Sequence, residues 1–422
     1  MRWIGLFLLF CLAGCMSTQY VYEPSLASIN IIDRDGMSET FSNADRLAKF
    51  ENVDFLSSQP YQKVLRVYSR NDEGAVLAYL TSYHPNGQVK QYLEIANGRA
   101  FGLYREWFAN GTLKVEAHVI GGMPDITTAA EKSWLFEGIA QAWDENGHLE
   151  AEIPYCKGIL HGTALYYHPN GAIWKRVALE KNELQGTSEI FLEDGTLLET
   201  LQYVVGQREG PSIRYWGKDK IASQEMFSEG KLITGIYYNS NGEPISNIDD
   251  GGGFRAIFGK DSVAELQEFK RGLPEGSVRV FGARGRLVRV YKVKNGLKHG
   301  EEIEYFDRPV AGRELQPRLT INWYEGRIQG IVKTWYDNGI QESQREWSNN
   351  VKNGVATGWY SDGNLMLIEE YDHGKLMRGQ YLKRGDKTPQ TSISDGKGMA
   401  TLYDADGNFV RRVIYINGVP VD

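Results

Sequence analysis

The stretch from Gly162 to Gly186, GTALYYHPNGAIWKRVALEKNELQG, is the unit that the rest of the chain repeats. A glycine opens it, an aromatic residue follows five positions on at Tyr167, and a Pro-Asn-Gly turn ends at Gly171. An apolar strand comes next (Ile173, Val177, Leu179), and a second linker closes on Gly186. Asn-Gly between two alternating runs is the strongest short-range hairpin signal, because the favoured tight turns need φ > 0.

The same spacing extends in both directions. Gly102, Gly138, Gly162, Gly186, Gly210, Gly235, Gly276, Gly300, Gly330 and Gly354 open successive units, most of them 24 or 25 residues apart. Five positions after them stand Trp107, Trp143, Tyr167, Phe191, Tyr215, Phe281, Tyr305, Trp335 and Trp359; only Gly235 fails, and Gly398 gives Tyr403 by the same rule. Nine positions after them stand Gly111, Gly147, Gly171, Gly195, Gly285, Gly339, Gly363 and Gly407, most preceded by Asn or Asp. A fixed period of this length is the signature of a repeat architecture.

After a tip the strand alternates. Leu113, Val115, Ala117 and Val119 point one way, and Lys114, Glu116 and His118 the other,. A second, looser turn is expected at Asn97-Gly98, Lys157-Gly158, Asn295-Gly296 and Glu325-Gly326. The fold expected is all-β, an elongated array of antiparallel β-hairpins over residues 61–422 forming a long twisted meander sheet. The recurrent aromatics are expected to stack along neighbouring strands as a ladder. Three regions depart from the period: a loop insertion at 121–134, an atypical unit at 235–276, and an atypical C-terminal unit at 379–422. Its first part, 379–398, reads as a capping hairpin for the sheet end. The 121–134 and 379–398 loops are candidates for function, since loops on a rigid scaffold carry it.

Composition agrees. The 47 glycines of 422 residues exceed the usual share of ~7%,, and 12% aromatics argue against disorder,. A formal net charge of −7 lacks the basic footprint of a nucleic-acid binder,, and argues against broad docking on anionic headgroups. Three cysteines, two of them within the first 15 residues, build no disulfide framework,.

Residues 1–15, MRWIGLFLLFCLAGC, begin with a minimal positive region at Arg2 and an apolar run from Trp3 to Leu12, too short to span a bilayer,. Leu12-Ala13-Gly14-Cys15 then resembles the bacterial lipoprotein signal. That resemblance implies cleavage after residue 14, diacylglyceryl transfer to Cys15, and later acylation such as palmitate. With two or three acyl chains the anchor holds. Met16, where an Asp would resemble an inner-membrane retention signal, points to the outer membrane if the organism has one. Residues 15–60 lack the repeat and are expected to form a tether, with one short helix around 43–52.

The Gly-x4-aromatic-x3-Gly core, as in Gly102–Gly111, Gly330–Gly339 and Gly354–Gly363, resembles the MORN repeat, in the variant found in YwqK-family antitoxin-like bacterial proteins. The resemblance covers roughly residues 75–123 and 134–422 and implies hairpins in a row, with no catalysis.

Motifs with chemistry of their own fail on spacing. Gly253 to Asp261 places five residues between glycines where a phosphate loop needs four, and Asp261 replaces Ser or Thr, so no nucleotide site is expected,. His148-Leu149-Glu150 with Cys156 lacks the second cysteine of a zinc deaminase,. Most of the histidines sit at turns: His84 and His168 precede Pro-Asn-Gly, and His161 and His299 precede opening glycines. No cofactor and no metal are expected, and Arg384-Gly385-Asp386 is read as a turn.

The function expected is a membrane-tethered, non-catalytic scaffold that binds a protein partner in the bacterial cell envelope. A rival is a cell-wall glycan-binding module in which Trp107, Trp143, Trp335 and Trp359 stack on sugars. An envelope enzyme with a site assembled across repeats, and an antitoxin-like protein binder, are further alternatives.

Overall fold

The computed structural model describes residues 24–310 and 312–421. The lipoprotein signal and Cys15 lie outside the described residues. Two compact units divide the chain, Met1–Glu183 and Leu184–Asp422. Each is an antiparallel meander, the first running from Leu26–Ile32 to Ile173–Glu180 with Leu26–Ile32 between Ser38–Phe41 and Lys63–Arg70, and the second ending at Val419–Val421. The two helices, Ala44–Leu47 and Thr128–Glu131, are single turns, and no helix among the described residues is long and apolar enough to cross a membrane.

The two kinds of turn exchange the roles expected of them. At the tip His84-Pro85-Asn86-Gly87, the Gly87 amide donates to the His84 carbonyl at 2.9 Å and the His84 amide to the Gln88 carbonyl at 2.8 Å. Of the Asn-Gly pair only Gly87 is left-handed, at φ 92°. This is a type I turn closed by a glycine bulge, and the strand register slips between Ser82 and Tyr83,. Pro85 suits it, because proline pre-sets φ for the second position of a type I turn, and Phe108-Ala109-Asn110-Gly111 makes the same turn without one,. The linkers are the tight turns. Asn97 and Gly98 have φ 48° and 71°, Lys157 and Gly158 49° and 84°, and Glu325 and Gly326 48° and 76°. Two consecutive positive φ values define type I′, which matches the twist of the strands it joins.

Each edge of the meander is tied. On the linker edge, the Gly158 amide donates to the Phe136 carbonyl, Gly206 to Leu184, Gly230 to Arg208, Gly326 to Lys298 and Gly374 to Lys352, at 2.8–3.0 Å. On the tip edge, asparagine side chains donate to the next tip: Asn86 to the Ala109 carbonyl at 2.7 Å, Asn110 to Glu145 at 2.9 Å and Asn338 to Ser361 at 2.6 Å. Asparagine therefore does more at a tip than favour the turn.

From Leu26 onward the expected tether is part of the sheet. Leu26–Ile32 pairs with both Ser38–Phe41 and Lys63–Arg70. Ile29, Ile31, Phe41, Leu47, Phe55 and Val64 form a buried cluster beneath it. Alternation in Leu26–Ile32 was readable, but the strand falls outside the glycine period. The short helix occurs, capped by Asn43, whose Oδ1 accepts from the Asp45 amide at 2.9 Å.

The insertion at 121–134 plugs the first unit. Ile126, Ala130 and Trp134 are buried, and the Trp134 ring sits 4.8 Å from that of Tyr104. Its indole NH donates to the Met123 carbonyl at 2.9 Å. Residues 379–398 form an internal hairpin, because Lys397–Tyr403 and Phe409–Ile416 still follow.

Candidate binding surface

The opening glycine is a backbone requirement. Gly102, Gly162, Gly276, Gly300, Gly330 and Gly354 all have positive φ, between 84° and 119°. At three of them a glutamate from the preceding strand lies where a Cβ would stand: Glu94 at Gly102, Glu268 at Gly276 and Glu346 at Gly354. These carboxylates accept from the amide one residue further on, Leu103 at 2.8 Å, Ser277 at 2.6 Å and Val355 at 3.2 Å.

Gly235 differs. Its φ is not left-handed, and a Cβ there would meet the Tyr237 hydroxyl at 2.5 Å. The true opener of the atypical unit is Gly253, at φ 135°, and five residues on Phe258 takes the aromatic place. Gly235 falls on the period, 25 residues after Gly210, whereas the unit starting at Gly253 falls off it and lacks the second glycine, having Ser262 there.

Trp107, Trp143, Trp335 and Trp359 hold one equivalent position. Each pairs across the tip, with Leu113, Leu149, Gln341 and Leu365, directly after a bulge. All four are half-buried, and Trp107 packs against the N-terminal core cluster. Two belong to one unit of the chain and two to the other. They form no ring–ring pair with one another among the described residues. The expected ladder of these rings fails because each unit holds two strands, so equivalent rings stand two strand spacings apart, roughly 9.6 Å. Ring contacts do occur on consecutive strands, as for Tyr68, Tyr79 and Tyr92 at 5.2 and 6.0 Å.

A second aromatic position went unread. It lies across the hairpin from the opening glycine, at Tyr155, Tyr203, Phe227, Phe269, Trp323, Trp347, Tyr371 and Tyr415. A ring opposite a glycine covers backbone that would otherwise be bare. In three units the cation two residues before the glycine lies over that ring: Arg208 on Phe227 at 5.1 Å, Lys298 on Trp323 at 4.9 Å and Lys352 on Tyr371 at 4.7 Å,. Burial holds the Lys352 ammonium below the usual lysine range. A count from each glycine to the next aromatic beyond the tip was the available signal.

The second residue after the glycine points inward and is buried in most units, as at Ala164, Ser188, Ser212, Val278, Glu302, Ala356 and Ala400. Glu302 accepts from Lys298 Nζ at 2.6 Å and Trp323 Nε1 at 2.7 Å. Glu225, also buried, accepts a two-armed bond from Arg255, at 2.6 and 3.0 Å, and one from the Tyr237 hydroxyl at 2.8 Å. Glu369 takes hydroxyls of Tyr381 and Tyr371 at 2.8 and 3.0 Å. Burial, with the carboxylate as a further cause, raises the pKa of Tyr237, Tyr371 and Tyr381, so they stay protonated donors. These carboxylates are saturated by donors, as in structural networks.

Among the described residues no group of three or more His, Cys, Asp or Glu is arranged to hold a metal ion. Hollows of about 560 Å³ and about 420 Å³ lie between neighbouring tips, one lined by Asp219, Tyr238 and Asn241, the other by Asp194, Tyr215 and Lys218. The four tryptophans line neither.

The family model described as the MORN repeat variant matches residues 136–157 and 160–177. The chain thus carries MORN-variant repeats there, and the neighbouring hairpins share their spacing. No curated protein matches the sequence. Among solved structures the chain is similar to one titled "Crystal Structure of TcdB2-TccC3 without hypervariable C-terminal region", at 10% identity and a TM-score of 0.16. The alignment covers 93% of this chain and 22% of that one, so this chain spans about a fifth of its length. A likeness this loose bears on neither fold nor function.

Proposed function

We propose that the chain is a lipid-anchored, non-catalytic repeat scaffold that binds a protein partner in the bacterial envelope. The observation that carries the reading is the double tying of each meander, by glycine amides along the linker edge and asparagine side chains along the tip edge. Ties of this kind hold neighbouring strand faces in fixed register, and binding functions are commonly mounted on such rigid repeats. The lipobox at Leu12–Cys15 supports the anchor and the envelope address, the outer membrane where there is one.

Crosslinking with mass spectrometry on intact cells, comparing the native chain with Cys15→Ser, tests both halves. Specific protein partners that fall away in Cys15→Ser support the reading. A native chain that crosslinks to no protein overturns it, and labelled palmitate entering both chains equally overturns the anchor.

A further inference from the structure

Residues 276–300 contain seven Lys or Arg and no Asp or Glu, in a chain with seven more acids than bases. It covers the hairpin of Leu273–Phe281 and Leu287–Lys294 from Gly276 on, with the linker beyond it, and Glu275 stands just before it in the first strand. Three of its cations are spent on carboxylates inside the fold or beside it: Arg289 on Glu304 at 3.5 Å, Lys298 on Glu302 at 2.6 Å, and Arg286 on Glu314 at 3.0 Å. The other four, Arg279, Arg284, Lys292 and Lys294, are exposed and have no ion pair among the described residues.

Their placement is ordered. Val278 is buried opposite Tyr291, so the alternating neighbours Arg279 and Lys292 point to the opposite, solvent-facing side, and Lys294 follows Lys292 on that side,. The Arg279 guanidinium lies 4.7 Å from the Phe254 ring of a nearby strand, a contact that favours this orientation,. Val290, paired with Arg279, and Ile303, paired with Val290, give the same side an apolar middle. Glu275, Glu268, which is ion-paired to Lys270, and the exposed Glu301 lie at its border. Both strands of the hairpin are hydrogen-bonded on either side, so a partner meets side chains and adds no strand.

We infer that this face of the 276–300 hairpin is where the scaffold takes its protein partner, and that the partner presents an acidic segment with aliphatic side chains among its carboxylates. The inference rests on the proposed scaffold function and names the chemistry of its partner. Exposed cations around an aliphatic strip match such a segment, and clustered charge of one sign steers its approach.

A fluorescently labelled peptide of alternating Glu and Leu, with a Lys and Leu peptide as control, measures the surface by anisotropy on the full chain. Saturable binding of the acidic peptide is expected, weakened roughly tenfold in Arg279→Glu/Lys292→Glu and by raising salt from about 0.05 to about 0.5 M. Strand circular dichroism checks the variant's fold, and Arg279→Gln/Lys292→Gln, with no new charge, gives a smaller loss in the same direction. Equal binding by native and variant chains overturns the proposal. So does tighter uptake on phosphatidylglycerol vesicles than on the peptide, or a salt-sensitive self-association that the variant abolishes. In cells, a charge-reversed chain that keeps every crosslinked partner sinks the hairpin assignment and leaves the scaffold standing, whereas a native chain without partners sinks the scaffold.

Discussion

Gly354 faces Tyr371 across its hairpin, and the Lys352 ammonium lies 4.7 Å from the same ring. The glycine is there for its left-handed φ of 105° and for Glu346, which occupies the place of a Cβ. The ring then covers the bare backbone, and the cation covers the ring.

Gly354→Ala should therefore cost about 2–3 kcal/mol, since the residue must leave its φ and displace the Glu346 carboxylate. In a repeat the damage stays local. Hydrogen exchange should rise across residues 341–372 and stay near native in Lys63–Arg70; uniform loss across the chain would refute the local picture.

Glu225→Ala removes the carboxylate that bonds both Arg255 and Tyr237. Leaving the half-buried guanidinium without its carboxylate costs at most about 3–5 kcal/mol, the figure for a fully buried pair,. Tyr237→Phe should cost about 1 kcal/mol, the size of one hydrogen bond. Urea melts of the two variants should differ accordingly, and a larger loss for Tyr237→Phe would contradict the network.

Trp134→Ala should cost about 3–5 kcal/mol, the loss of a buried indole. Intrinsic fluorescence and hydrogen exchange should localise the loss to Val89–Ala96, Arg99–Trp107 and the 121–134 segment. A variant as stable as the native chain would show that the insertion is dispensable packing.

Asp362 is held at about 2 by the Asn364 amide first and Arg384 next. A carboxyl depressed in the folded state stabilises fully above its unfolded value, near 3.8, and that contribution vanishes as pH falls through about 2,. Asp362→Asn should destabilise its tip at about pH 6 and make little difference at about pH 2. A difference that grows towards acid would reverse the sign and exclude the account.

Much of this fold was legible from glycine spacing. Gly102, Gly162 and Gly354 were found because only glycine tolerates their φ, and the period repeats that demand. Leu26–Ile32 was not legible as part of the sheet, because it pairs by ordinary alternation and carries no glycine of the repeat. Gly235 misled, since close approach of Tyr237 selects glycine as strongly as φ does. The tryptophans were legible as a recurrent position, but their half-burial depends on neighbouring hairpins. Tyr371 and its counterparts were missed because their role exists only across the strand pair.

At four tips the side chain that begins the tip reaches forward to the next one: His84 to the Trp107 carbonyl, Trp216 to Tyr238, Tyr336 to Trp359 and Tyr360 to Leu382, at 2.6–3.0 Å. Every such clasp runs in the direction of the chain, and its acceptor is a main-chain oxygen that any successor supplies. A complete hairpin can thus be excised or duplicated and the severed clasp closes on whichever hairpin comes next. The number of hairpins can therefore change at these points without new side-chain chemistry at the junction.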